Sequence, residues 1–132
     1  VIAIGSAFRD CSYAVPAYMD RVVDAQRMLG LPIRVIAVEG DSKDDTAERL
    51  VREASKRNLR IHVPACHHGG PYFGSVESEE RFVAMSKVGN AIFDAVQPDD
   101  HALFYVESDL LWSPKTFVQL VVSALTRDCG YD

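Results

Sequence analysis

"ALFYVESDLLWSP", residues 102–114, is the stretch on which the reading of this chain turns. Ala102 to Val106 has the length and apolar character of a strand covered on both faces, and Ser113 followed by Pro114 is a helix start, with the hydroxyl as N-cap and the ring in the first helical position. Between strand and helix stand Glu107 and Asp109. On an extended chain residues two apart project to the same side, so the two carboxylates face one small volume. Like charges that close repel unless a cation or a proton lies between them, and burying them uncompensated is costly. Hard divalent ions take such oxygen ligands, and Mg²⁺ typically takes one or two carboxylates plus substrate phosphates. The pair therefore predicts a metal together with a phosphate.

Working outward, Phe82, Met85, Val88, Ile92 and Val96 mark a helix before this strand, with Gly89 expected to allow close approach to a sheet. After it, Phe117, Leu120, Val121 and Ala124 mark another. Towards the amino end, "LRIHV" (59–63) alternates apolar and polar residues as an edge strand does, and "PACHHGGPYFGS" (64–75) is a Gly- and Pro-rich loop. Cys66, His67 and His68 within it are adjacent residues pointing in different directions, which argues against a shared metal. "IRVIAV" (33–38) is a second buried strand, followed by "EGDSKDD" and a helix with Asp45 and Glu48 at capping-box spacing and Ala47, Leu50, Val51 and Ala54 as its buried stripe. "VIAI" (1–4) is a first strand that "GSAFRD" breaks into a loop. The helix after it carries Val15, Tyr18, Met19, Val22, Ala25 and Leu29, with Gly30 as its stop. Strands alternating with helices predict an α/β fold with a mostly parallel sheet.

The chain has 132 residues, 48% of them apolar and 25% charged, which fits one globular domain, read as residues 1–132. A net charge of -5 with no basic stripe excludes a nucleic-acid footprint. No apolar run approaches a bilayer span, and Cys11, Cys66 and Cys129 form no zinc-type pair; a cytoplasmic setting is expected. Val1 at the start is consistent with a missing leader or earlier domain.

In a parallel sheet the loops leaving the carboxyl ends share one edge, where ligands of open α/β sheets bind. "GSAFRD", "EGDSKDD" and "ESDLLW" all fall there. Several of their residues also have plain structural readings: Asp45 as a helix cap, Asp44 as a partner of the helix dipole, Arg9 with Asp10 as a solvated pair, and Trp112 as packing.

"VEGDSKDDT" (38–46), "MSKVGNAIFDAV" (85–96) and "ALFYVESDLLWSP" are similar, in order and spacing, to the nucleotide-binding half of glycosyltransferases with the GT-A fold, family 2-like. The resemblance covers nearly the whole chain. It implies a three-layer, Rossmann-like sandwich with strand order of about 3-2-1-4. It implies a divalent Mn²⁺ or Mg²⁺ at Asp109 and Glu107, as a Glu-x-Asp variant of the DxD motif, and a UDP- or GDP-sugar donor. Glu39 then matches the first acid of the turn near the base and ribose, with Asp41 beside it. Ser6, Ala7, Phe8 and Arg9 stand where the base is cradled. Asn90 matches an Asn on the helix before the motif, Ser108 is its central residue, and Arg81, Lys87 and Arg9 are candidates for phosphate contacts. The sequence departs from the family with Glu at 39 and 107, and with "EGD" in place of "DDG".

The expected function is metal-assisted transfer of a sugar to a glycan, lipid or protein acceptor. No general base is identified, and the chain reads as truncated before the acceptor-binding half. The alternative is a non-catalytic nucleotide-sugar-binding module of the same fold. A phosphotransfer receiver is disfavoured because no acid pair follows the first strand, and a sugar nucleotidyltransferase because the Gly-rich, Lys-bearing loop is absent.

Overall fold

The computed structural model describes residues 1–67, 69–71, 73 and 76–127, so His68 and Cys129 lie outside the described residues. Four strands, β1 (Ile2–Phe8), β2 (Ile33–Glu39), β3 (Arg60–His62) and β4 (Ala102–Tyr105), form one parallel sheet in the order β3-β2-β1-β4. Helices α1 (Val15–Leu29), α2 (Thr46–Lys56), α3 (Glu79–Asp94) and α4 (Pro114–Thr126) alternate with them.

Alternation along β1 and β2 divides the core into two layers. Ile2, Ile4, Ile33 and Val35 point into a large cluster with Val15, Tyr18, Met19 and Val22 of α1, Leu50 and Ala54 of α2, and Phe117 and Val121 of α4. Ala3, Ile36 and Val38 point the other way, to Ile92 of α3. The result is the expected three-layer sandwich. Pro16 begins α1, and Gly30 ends it at φ 65°, a left-handed stop open to glycine without cost.

Several expectations are corrected. The first strand does not end at Ile4. It runs through "GSAF" because β1 pairs with β2 from Ile2↔Ile33 to Phe8↔Glu39, so the small residues remain in the ladder. β4 is not covered on both faces: it is the second sheet edge, and Tyr105 is 54% exposed. On α3 the buried residues are Ala84 and Ile92, while Phe82 and Met85 are exposed; Val96, also exposed, lies beyond the helix end at Asp94. The glycine of close approach is Gly5 on β1, where a Cβ would lie 2.4 Å from Ile92 Cγ2, whereas the space around Gly89 is open. On α2, Val51 is exposed, and Thr46 and Glu53 are buried beside Leu50 and Ala54. On α4 Leu120 and Ala124 are exposed; Ser113 caps the helix as expected, accepting from the Thr116 N–H at 3.4 Å.

The Asp45 carboxylate makes no cap bond. Asp44 takes that place, accepting from the Thr46 N–H at 3.0 Å and from its hydroxyl, while Asp45 accepts from the Ser12 hydroxyl.

Candidate functional site

The carboxyl ends of β1, β2 and β4 open on a cleft of about 500 Å³, lined by Ala7 to Cys11, Tyr13, Val38, Gly40, Cys66, Val88 and the run Glu107 to Asp109. The strands are parallel, so their exits share this edge. Of the residues singled out in the sequence, Ala7, Phe8, Arg9, Glu107, Ser108 and Asp109 line it.

The acid pair is presented differently from the expectation. β4 stops at Tyr105, and residues 107–110 form a turn closed by the Leu110 N–H to the Glu107 carbonyl at 3.4 Å. Glu107 and Asp109 are exposed, so neither suffers the cost of burial expected of the pair. They reach one cleft because the turn brings them there, and not by strand alternation. Ser108 between them is half-buried; burial pushes the pKa of the nearby Cys11 thiol up, against the opposing influence of the Arg9 backbone and Ser108 and with a smaller push from the charges of Asp44 and Asp109. The hydroxyl of Tyr105, just before the turn, has its pKa raised by partial burial and by the charge of Glu107.

Ser6 is fully buried. Its hydroxyl donates to the Val106 carbonyl and so accepts from the Tyr18 hydroxyl at 2.6 Å. It is a structural pin between β1, α1 and the end of β4. Burial pushes the Tyr18 hydroxyl's pKa well up, so the phenol stays protonated. Glu39 is half-buried and outside the lining. Its N–H donates to the Pro64 carbonyl at 3.1 Å and its carbonyl accepts from the Cys66 N–H at 2.9 Å, extending the sheet by the parallel bridge Glu39↔Ala65. This bridge gives order to a segment read as loop, and seats Cys66 at the cleft. The approach is so close that a Cβ on Gly40 would lie 2.1 Å from the Cys66 carbonyl oxygen.

Asp41, at φ 61°, turns towards the β3 exit: its N–H reaches His67 Nδ1 at 3.3 Å and its carboxylate accepts from the Gly69 N–H at 3.3 Å. Arg9 donates to the carbonyls of Gly70 and Pro71 at 3.2 and 3.3 Å. Arg81 lies outside the main cleft, in an adjoining hollow that shares Ala7, Arg9, Val88 and Glu107 with it. Asn90 is exposed on α3 and lines neither. Trp112 packs against Tyr18 and Phe117, with ring centroids 6.2 and 5.4 Å away, and is a core residue.

The cleft also contains residues to which the sequence reading gave no part in a site. Tyr13 is 76% exposed and lines the cleft. Its place in a short 3-10 turn, Ser12–Ala14, ahead of α1 gave no periodic signal. Asp10, read as one half of a solvated pair, instead holds backbone amides of the β2 exit.

Among the described residues no group of three or more His, Cys, Asp or Glu is arranged to hold a metal. Three carboxylates line the cleft, Asp10, Glu107 and Asp109; Asp10 Oδ1 already accepts the Lys43 and Asp44 amides, which leaves Glu107 and Asp109 as the candidate donors. That set matches a hard cation completing its shell with phosphate and water, and not a closed protein cage.

No protein-family model matches the chain, and no curated protein matches it. Among solved structures it is similar to S. aureus TarS 1–349, with a TM-score of 0.50 and 17% identity over 92% of this chain and 31% of that one. A second similar structure is S. aureus TarS 1–349 in complex with UDP-GlcNAc, with a TM-score of 0.49 and 17% identity over 92% of this chain and 30% of that one. The chain thus spans about a third of the length of the solved structures it matches. The likeness is one of fold. No helix among the described residues is long and apolar enough to cross a membrane.

Proposed function

We propose that the chain is the donor-binding domain of a metal-dependent glycosyltransferase, with the cleft at the ends of β1, β2 and β4 taking the diphosphate of a nucleotide-sugar. One observation carries the reading: Glu107 and Asp109, on a turn after β4, line the same cleft as the exits of β1 and β2. The GT-A resemblance of "ALFYVESDLLWSP" and "VEGDSKDDT" and the 3-2-1-4 sheet order support it.

Asp109, with Glu107, would hold Mn²⁺ or Mg²⁺ through carboxylate oxygens. A bound divalent ion supplies Lewis-acid neutralisation of the charge that builds on a departing nucleoside diphosphate. The chain's own residues bind and orient the donor. Arg9 brings a guanidinium to the lining, suited to a phosphate oxygen, and Tyr13 offers a ring face to the base. Arg81, from its adjoining hollow, reaches the donor only if the ligand extends past Glu107. The acceptor, a glycan, lipid or protein, is bound by surfaces other than this cleft.

Calorimetric titration with UDP, GDP and their sugars, with and without Mn²⁺, on the native chain and Asp109→Ala tests the reading. Metal-enhanced binding that Asp109→Ala loses is the expected result. Binding that is equally tight without metal, or indifferent to the substitution, removes it. Metal-dependent binding with no transfer by a longer chain that carries an acceptor site assigns the domain to the non-catalytic alternative.

A further inference from the structure

We infer that Asp10 is a positioning residue of this cleft, a carboxylate that sets the β2 exit against the β1 exit and is not itself a metal ligand. The inference rests on the donor-binding reading for what the positioning serves. Asp10 lines the cleft together with Glu107 and Asp109, so three carboxylates border one space. The obvious assignment would make it a third ligand. Its bonds argue otherwise.

The Asp10 carboxylate accepts from the Lys43 N–H at 2.6 Å and from the Asp44 N–H at 3.4 Å, both through Oδ1. Its own N–H donates to Ser42 Oγ at 3.1 Å. One residue thus ties β1's exit to three consecutive residues of the β2 exit. A carboxylate oxygen accepting two amides is held in place and has its charge already partly met. The backbone at Asp10 is in the left-handed region, φ 47°, a conformation that a non-glycine residue keeps only where surrounding contacts enforce it. These ties supply that enforcement.

The same device recurs one strand further along. Asp41, also in the left-handed region at φ 61°, binds Gly69 N–H with its carboxylate. The exits of β1, β2 and β3 are therefore stitched in series by side chain to backbone bonds, and Asp10 is the stitch that lies in the cleft. Freed from it, Lys43 and Asp44 lose their amide partner on the β1 exit beside the cleft; the bonds of Ser12 to Asp44 and Asp45 and of Cys11 to Thr46 still join the two exits farther from it, so the loosening is local to residues 42–44 and the Arg9 side of the cleft.

The test compares Asp10→Ala with Asp10→Asn, whose amide oxygen still accepts the Lys43 N–H but carries no charge. Two readouts are taken: amide hydrogen exchange across residues 40–46, and UDP affinity in the presence of Mn²⁺. Asp10→Ala is expected to speed exchange at Lys43 and Asp44 while leaving the β1 and β2 amides protected, and to weaken UDP by roughly 10- to 100-fold, the range for lost supporting groups. Asp10→Asn is expected to restore slow exchange and most of the affinity, with the Mn²⁺ dependence kept. Unchanged exchange in Asp10→Ala overturns the inference, as does UDP affinity equal to the native chain's. Loss of the Mn²⁺ effect in Asp10→Asn with exchange still slow makes Asp10 a ligand and also overturns it. Should the native chain bind no UDP while Asp10→Ala alone loosens residues 43 and 44, the tether stands and the donor-binding reading fails.

Discussion

Arg34 on β2 and Asp100 ahead of β4 form an ion pair almost out of solvent, their side chains 4% and 1% exposed, at the end of the sheet where the strands begin. Asp100 also accepts the Gln97 N–H at 2.8 Å, and Arg34 Nη2 donates to the Ala95 carbonyl at 3.1 Å. Arg34 Nη1 is buried without a partner, so the pair is incompletely satisfied. Removing one member leaves a buried charge alone, whereas removing both leaves none. Asp100→Ala should therefore cost about 3–5 kcal/mol, and the double variant Arg34→Met with Asp100→Leu should cost less than Asp100→Ala alone. Urea unfolding of the variants measures both, and a double variant less stable than the single one would contradict this account.

Acid should destabilise the chain through carboxylates held below their ordinary range, among them Asp100 and Asp44. Burial would push the Asp100 pKa up, but the Arg34 guanidinium and the Gln97 N–H outweigh it and hold the group below its usual range. The Thr46 hydroxyl, against a smaller effect of burial and with backbone amides, does the same for Asp44. A carboxyl whose pKa is lower folded than unfolded contributes stability that is complete above its unfolded value and is lost as pH falls through the folded one. Stability should then be flat from neutrality to roughly pH 5 and decline below about pH 4, near the ordinary Asp value. Asp44→Asn should shallow that decline. A native profile that is level down to about pH 2 refutes it.

Ser6 and Tyr18 should respond unequally to loss of their shared bond. Tyr18→Phe leaves Ser6 still bonded to the Val106 carbonyl, and should cost about 0.5–1.5 kcal/mol. Ser6→Ala strands the buried Tyr18 hydroxyl and the Val106 carbonyl together, and should cost more, up to about 3 kcal/mol. Chemical denaturation of the two variants ranks them.

Gly40 and Gly89 should behave in opposite ways when replaced by alanine. At Gly40 the new Cβ meets the backbone of Cys66, which cannot move without opening the Glu39↔Ala65 bridge, so a loss of about 1–3 kcal/mol is expected, with faster exchange of the Cys66 amide. At Gly89 the new methyl meets nothing within 4 Å and replaces glycine inside a helix, so a gain of about 0.5–1 kcal/mol is expected. Thermal unfolding decides both signs.

The order and kind of the elements were legible from local pattern. Uniform apolar runs at 33–38, helical spacing at Val15 to Leu29, and the punctuation of Gly30 and Ser113–Pro114 are local, and local physics places them. The same pattern brought residues 9, 39, 41, 107 and 109 to one sheet edge, because parallel strands leave no other place for their exits. Which of these residues face the cleft became visible only once the elements were packed together. Ser6 turns into the core because Tyr18 and Val106 meet it there, and Asp41 turns to Gly69 and His67 because the β3 exit lies beside it. Asp10, plain in the sequence, becomes a tether because Lys43 and Asp44 come back to it from thirty-three and thirty-four residues away. Spacing along a chain fixes the direction of a side chain within its own element; its partner across the fold is set by contacts between elements that no local pattern encodes.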